Sequence, residues 1–299
     1  MGHAHAHHHG HGHAPQATAA LGMAFLLNAA FTVVEAAGGW WSGSMAVMGD
    51  ALHDLGDCLV LGLAWYLQRL SQRGRDAAYS YGYGRYAMLG GWLAAWVLIA
   101  GAVGLIIATA PRMLDPVMPR TGPMLAIAVF GLAMNALAAW KLHHGRSLNE
   151  RGAYLHLLED VLGWAAVLVG AVVIRYTGWA VVDPLLSMGI ALFILVNAVR
   201  TLRQGTAILM QREPEQMDAG TVRDALLAVP GVRGVHDQHA WSLDGTNTVL
   251  TVHLVVDGGD AEALLRVKAL ARTALHGLGI HHATIEIERP GEACELIHH

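Results

Sequence analysis

The pattern Leu-His-x-Leu-x-Asp-x-Leu occurs twice in this chain, as Leu52-His53-Asp54-Leu55-Gly56-Asp57-Cys58-Leu59 and as Leu155-His156-Leu157-Leu158-Glu159-Asp160-Val161-Leu162, each time inside a long apolar stretch. Histidine and aspartate four residues apart stand on one face of a helix, about 6 Å apart along its axis. Each copy therefore offers one imidazole and one carboxylate to a shared ion, and two such helices facing each other supply four ligands. That mixed nitrogen and oxygen set suits tetrahedral Zn²⁺, admits Co²⁺ or Cd²⁺, and matches Mg²⁺ or Ca²⁺ poorly. A pair of local His-Asp hydrogen bonds without metal explains a single copy as well as an ion does, but gives no reason for the repeat.

Charge leads to the same chemistry. An aspartate at membrane depth costs about 2.5 to 3.5 kcal/mol on insertion scales, so Asp57 and Asp160 need a partner, water or an ion. Two aspartates balance one divalent cation, whereas the emptied site would hold two unneutralised carboxylates. Metal binding requires neutral histidine and ionised aspartate, so loading expels protons and proton uptake weakens the metal. This competition is a physical basis for metal/proton exchange.

Other polar residues lie close by in the sequence. Asp50 precedes His53 by three positions and either lines a route to the site or stands at a helix start near the outer surface. Asp54 points about 100° away from His53 and is expected to pack between helices or face water rather than ligate. Glu35 and Asn28, seven apart, share a face and are expected to meet a neighbouring helix. Glu159 adds an acid beside Asp160, and its orientation is open.

These residues must be positioned by a membrane-embedded frame. The 299 residues are 54% hydrophobic and 14% charged, with a mean hydropathy of +0.40, well outside ordinary soluble composition. Apolar segments near 17–39, 45–68, 87–110, 122–142, 152–174 and 178–200 each approach the roughly 20 residues that span a bilayer. Arg69, Arg73, Arg75, Arg85, Lys141, Arg146, Arg151, Arg200, Arg203 and Arg212 flank one side of these segments, against Arg112, Arg120 and Arg175 on the other. Six spans with that asymmetry predict both termini in the cytoplasm. No cleavable signal peptide is expected, and a net charge of -4 gives no case for nucleic acid.

The expected organisation is a histidine-rich tail over 1–14, a six-helix membrane domain over 15–205 and a soluble cytoplasmic domain over 206–299. The tail is expected to be disordered, and reads as a metal-collecting segment or as an expression tag interrupted by small residues. In the soluble part a helix pattern at 217–229 precedes strand-like runs at 235–243 and 248–256 joined by Asp244-Gly245-Thr246-Asn247. A helical stretch at 260–276 and a strand at 283–288 follow, an αββαβ order for a small α+β domain. Cys58 and Cys294 are too few and too far apart for a disulfide framework.

Together these features resemble the cation diffusion facilitator family of zinc transporters over nearly the whole chain. The resemblance rests on Asp50-Ala-Leu-His53-Asp54-Leu-Gly-Asp57, on Tyr81-Gly-Tyr-Gly-Arg85, on the run from Ser147 to Asp160, and on Val235-His236-Asp-Gln-His239-Ala-Trp241-Ser-Leu. It implies six transmembrane helices and a metallochaperone-like cytoplasmic domain, in a homodimer that exports Zn²⁺ in exchange for protons. His53, Asp57, His156 and Asp160 would form the transport site, in the His/Asp pattern of zinc-type members. It further implies that His236, His253 and Glu288 are regulatory ligands, with His239 and Cys294 as further candidates, converging at one sheet edge. His281 and His282 are expected in solvent, and His143 with His144 either relay metal or face headgroups. A membrane-proximal site known in some relatives is not expected in the loop Gln72-Arg73-Gly74-Arg75-Asp76. A bacterial inner membrane is the expected location, because arginine greatly outnumbers lysine. An intramembrane metallohydrolase is disfavoured, since four ready ligands leave no open position and His-Glu-x-x-His is absent. A metal-sensing scaffold would leave the intramembrane ligands without a task.

Overall fold

The computed structural model describes residues 14–71, 75–142, 148–214 and 217–292. The histidine-rich tail, His143, His144, Cys294 and His298-His299 lie outside the described residues. Six long helices come first: α1 (Ala14–Ser42), α2 (Met45–Ser71), α3 (Arg85–Leu114), α4 (Thr121–Leu142), α5 (Leu148–Thr177) and α6 (Val182–Leu209). They are followed by α7 (Ala219–Leu227), β1 (Val232–Ser242), β2 (Thr248–Val256), α8 (Ala261–Gly277) and β3 (His282–Glu288). Each apolar segment of the sequence becomes one helix. Among the described residues, Met88–Leu114, Thr121–Trp140 and Val182–Leu209 are long and apolar enough by composition alone to cross a membrane. In α2 the apolar run is broken by Asp50, Asp54 and Asp57.

The Cα framework forms two compact units. One holds the described residues up to 71 together with Leu89–Leu202; the other holds Arg75–Met88 together with those from Arg203 onward.

In the helical unit α1 packs along α2, and α4 along α5. Gly39 permits the first contact, because a Cβ there would stand 3.0 Å from the backbone nitrogen of Met48. Polar pins hold the same pair together, with Asn28 Nδ2 donating to Cys58 Sγ at 3.4 Å and Thr32 Oγ1 lying 3.3 Å from the same sulfur. Gly131 of α4 makes room for the wholly buried indole of Trp164 on α5. Trp164 joins Val47, Met124 and Val167 in one apolar core. The first turn of α2 is capped from another helix. The carboxylate of Asp183, in the first turn of α6, accepts from Met45 N at 2.8 Å, from Ala46 N at 3.3 Å and from the Ser44 hydroxyl. Backbone donors with no partner inside α2 are thereby satisfied by the oxygens of a buried side chain. This cap fixes where α2 begins, and with it the height of His53 and Asp57.

In the second unit the sheet order is β1-β2-β3, with β2 antiparallel to β1 and parallel to β3. The parallel pair needs a crossover, which α8 provides. Asp218 and Asp260 cap α7 and α8 by accepting from the backbone nitrogens of Thr221 and Ala263. Leu250, Val252, Leu254 and Val256 alternate onto the face packed by Val222 and Leu226 of α7 and Val267, Ala271 and Leu275 of α8. His253 lies between them and projects from the opposite face. Arg75–Met88 belongs to this unit: Arg85 Nε donates to the carbonyl of Leu243 at 3.1 Å, and the rings of Tyr81 and His282 lie 5.1 Å apart, edge to face.

Candidate metal centre

Helical spacing puts His53 and Asp57 one turn apart on α2, and Asp160 comes to them from α5. One ligand atom from each of the three lies within 4.8 Å of the other two. His53 Nε2 is 3.6 Å from Asp160 Oδ1, with the histidine side chain 23% and the aspartate 10% exposed. The imidazole of His53 also packs edge-on against Phe193 of α6, at 6.1 Å between ring centroids. His156 is on α5 one turn before Asp160, but its side chain lies outside the described residues. Nitrogen and carboxylate donors converging at these distances fit a tetrahedral transition-metal ion closing around them. Glu159 is exposed.

Asp54 takes the helix-packing alternative rather than the water-facing one. It is buried at 6% exposure and groups with Glu35 and Asp50. A rotation of 100° away from His53 turns it toward α1, not toward solvent. Asp50 is likewise buried, not at a surface helix start. Asn28 meets α2 through Cys58, as its spacing suggested.

The soluble unit holds a second group. His236 and His253 face each other across β1 and β2, and β2 pairs Val255 with Glu288 on β3. His253 Nδ1 is 2.6 Å from Glu288 Oε1, and His236 Nε2 is 3.1 Å from Glu288 Oε2. The three residues bring their ligand atoms within 4.8 Å of one another. They meet on the face of the sheet around its central strand β2, whereas the strand ends alone suggest an edge. His253 and Glu288 are almost fully buried, and His236 is 36% exposed.

Two residues that sequence reasoning passed over stand beside this group. Asp237 Oδ2 and Glu286 Oε2 each lie 3.5 Å from His253 Nε2. Asp237 reaches it because the strand bulges between His236 and His239, putting Asp237 in the left-handed region at φ 47°. Its other oxygen is 3.0 Å from His239 Nε2, whose side chain is 66% exposed, so His239 joins the group only through Asp237. Glu286 was within reach of sequence logic, since it alternates with Glu288 on one strand; nothing local in the sequence marks the bulge. His281 and His282 are exposed, and their rings stack with His276 and Tyr81 rather than joining a donor group.

Hydrogen bonds also fix the charge of two carboxylates in this unit. Burial pushes Asp244 up, but donation from Asn247 and Thr246, backbone and side chain, outweighs it and holds its pKa below the ordinary value. The Thr221 hydroxyl and backbone N–H do the same for Asp218.

Comparison with known proteins places these geometries in context. Residues 21–210 match the family model described as the cation efflux transmembrane domain, and 214–290 match that of the cation efflux protein, cytoplasmic domain. The chain is 35% identical to zinc transporter ZitB of Pectobacterium atrosepticum over 270 residues, covering 89% of this chain and 83% of the relative. It is 32% identical to the metal cation efflux system protein CzcD of Cupriavidus metallidurans, covering 93% and 89%. A Bacillus subtilis protein named cadmium, cobalt and zinc/H(+)-K(+) antiporter is 31% identical, covering 89% and 87%.

Proposed function

The chain belongs to the cation efflux family, a multi-pass membrane transporter family, and from that premise we propose that it exports Zn²⁺ from the cytoplasm in exchange for protons through His53, Asp57, His156 and Asp160. The observation that carries this reading is the convergence of His53, Asp57 and Asp160 within 4.8 Å between α2 and α5. His156 completes the set by its place one turn before Asp160. Cd²⁺ and Co²⁺ are further substrates of the same site, since the same donors accept them.

The two aspartates neutralise the ion inside the low-dielectric helices, and the neutral imidazoles complete its coordination. Release leaves two carboxylates that protons then neutralise, so the site returns loaded with protons and is emptied by the next metal ion. Asp183 and Ser44 hold the start of α2, and through it the register of His53 against Asp160. The name of the Bacillus relative, which includes both zinc and H(+), supports the coupling.

We read the organisation as a histidine-rich tail over 1–14, six spans over 15–205 and a cytoplasmic domain over 206–299. Both termini are cytoplasmic and the membrane is a bacterial inner membrane. The cytoplasmic domain pairs two chains into a homodimer and uses His236, His253 and Glu288 to sense zinc. The coupling is tested with purified protein in vesicles under an imposed pH gradient. Zinc should accumulate on the acidic side and alkalinise it, and zinc movement that is indifferent to the gradient contradicts the exchange.

A further inference from the structure

Apart from the group around His53, the helical unit contains a second meeting of carboxylates. Glu35 of α1 and Asp50 and Asp54 of α2 each bring an oxygen to within 4.8 Å of the other two. Glu35 has no exposed surface, and Asp50 and Asp54 are each 6% exposed. Among the described residues no N–H or hydroxyl donates to either oxygen of Glu35 or to Oδ2 of Asp50, and the one side chain in hydrogen-bond reach of Glu35 is the Asp54 carboxyl of the same group. On α5 a Cβ at Gly163 would stand 3.5 Å from Asp50 Oδ1, so that position offers no side-chain donor, and the Asp160 carboxylate lies within electrostatic reach of all three.

We propose that Glu35, Asp50 and Asp54 form a second intramembrane cation site, built from oxygen alone and suited to a hard divalent cation. Two different helices aim carboxylates at one point, and among the described residues no N–H or hydroxyl meets the Glu35 oxygens there. Buried carboxylates this close repel one another and need a positive partner. Carboxylate-only donors select ions of the Mn²⁺, Mg²⁺ and Ca²⁺ class, unlike the imidazole-containing group. The two groups are staggered along α2 by three residues, about 4.5 Å of rise, so they stand side by side with different donor chemistry. This site does not depend on the zinc/proton reading.

The test is Mn²⁺ titration of the purified full-length protein, with free Mn²⁺ followed by its electron paramagnetic resonance signal. The expected result is one tightly bound Mn²⁺ per chain that Glu35→Gln and the isosteric Asp54→Asn each weaken at least tenfold. An Asp57→Asn/Asp160→Asn variant keeps it, which separates this site from the transport group. A parent with no tight Mn²⁺ overturns the proposal without any variant. Monodisperse variants of Glu35 and Asp54 that bind as the parent does overturn it too, and leave the three carboxylates held by protons only.

Discussion

His253 stands where two carboxylates of β3 and one from the β1 bulge converge, and its buried ring depends on them. Glu288 is within hydrogen-bond distance of both His253 and His236. Glu288→Ala therefore removes the partner of a nearly buried imidazole nitrogen, at a cost of about 1–3 kcal/mol. The melting temperature should fall even with chelator present. Zinc affinity of the same domain should drop at least roughly tenfold, read by calorimetric titration. Asp244 gives a pH signature. Its lowered pKa means that its hydrogen bonds stabilise the folded state above the ordinary aspartate value of about 3.9. That contribution is lost as pH falls through the lowered folded value. The melting difference between the parent and Asp244→Ala should thus be full at pH 7 and shrink below pH 4; a difference that persists at pH 2 speaks against this account.

Element packing makes its own demands. A Cβ on Gly131 would come 2.3 Å from the Trp164 ring. Trp164 has no exposed surface and cannot swing aside, so Gly131→Ala should cost about 1–3 kcal/mol by overpacking, seen as a lower melting temperature in detergent. Asp183→Ala strips the cap from α2 and should cost about 0.5–2 kcal/mol. It should also reduce transport by loosening the α2 register, whereas a flux equal to the parent's would show that the cap has no bearing on the site. The elements themselves were legible because hydrophobic period and length identify helices and strands directly, as the αββαβ order and the six apolar runs did. Less legible was which way a polar residue turns. The angle of Asp54 to His53 left helix packing and water both open, and only the packing of α1 on α2 brings Glu35 to it. Asp237 was hidden for a related reason, since a bulge reverses the alternation on which strand reasoning rests.

On the scale of the whole molecule, His53 and Asp57 of one repeat come together with Asp160 of the other because α2 and α5 meet, and no single helix carries that group. The zinc/proton account therefore stands on that meeting. Its most direct test is zinc flux in vesicles under a pH gradient for Asp57→Ala and Asp160→Ala, each checked for native folding by size-exclusion profile and melting. The account predicts that each variant alone loses transport almost completely while the parent concentrates zinc. Folded variants that move zinc at the parent's rate would contradict it.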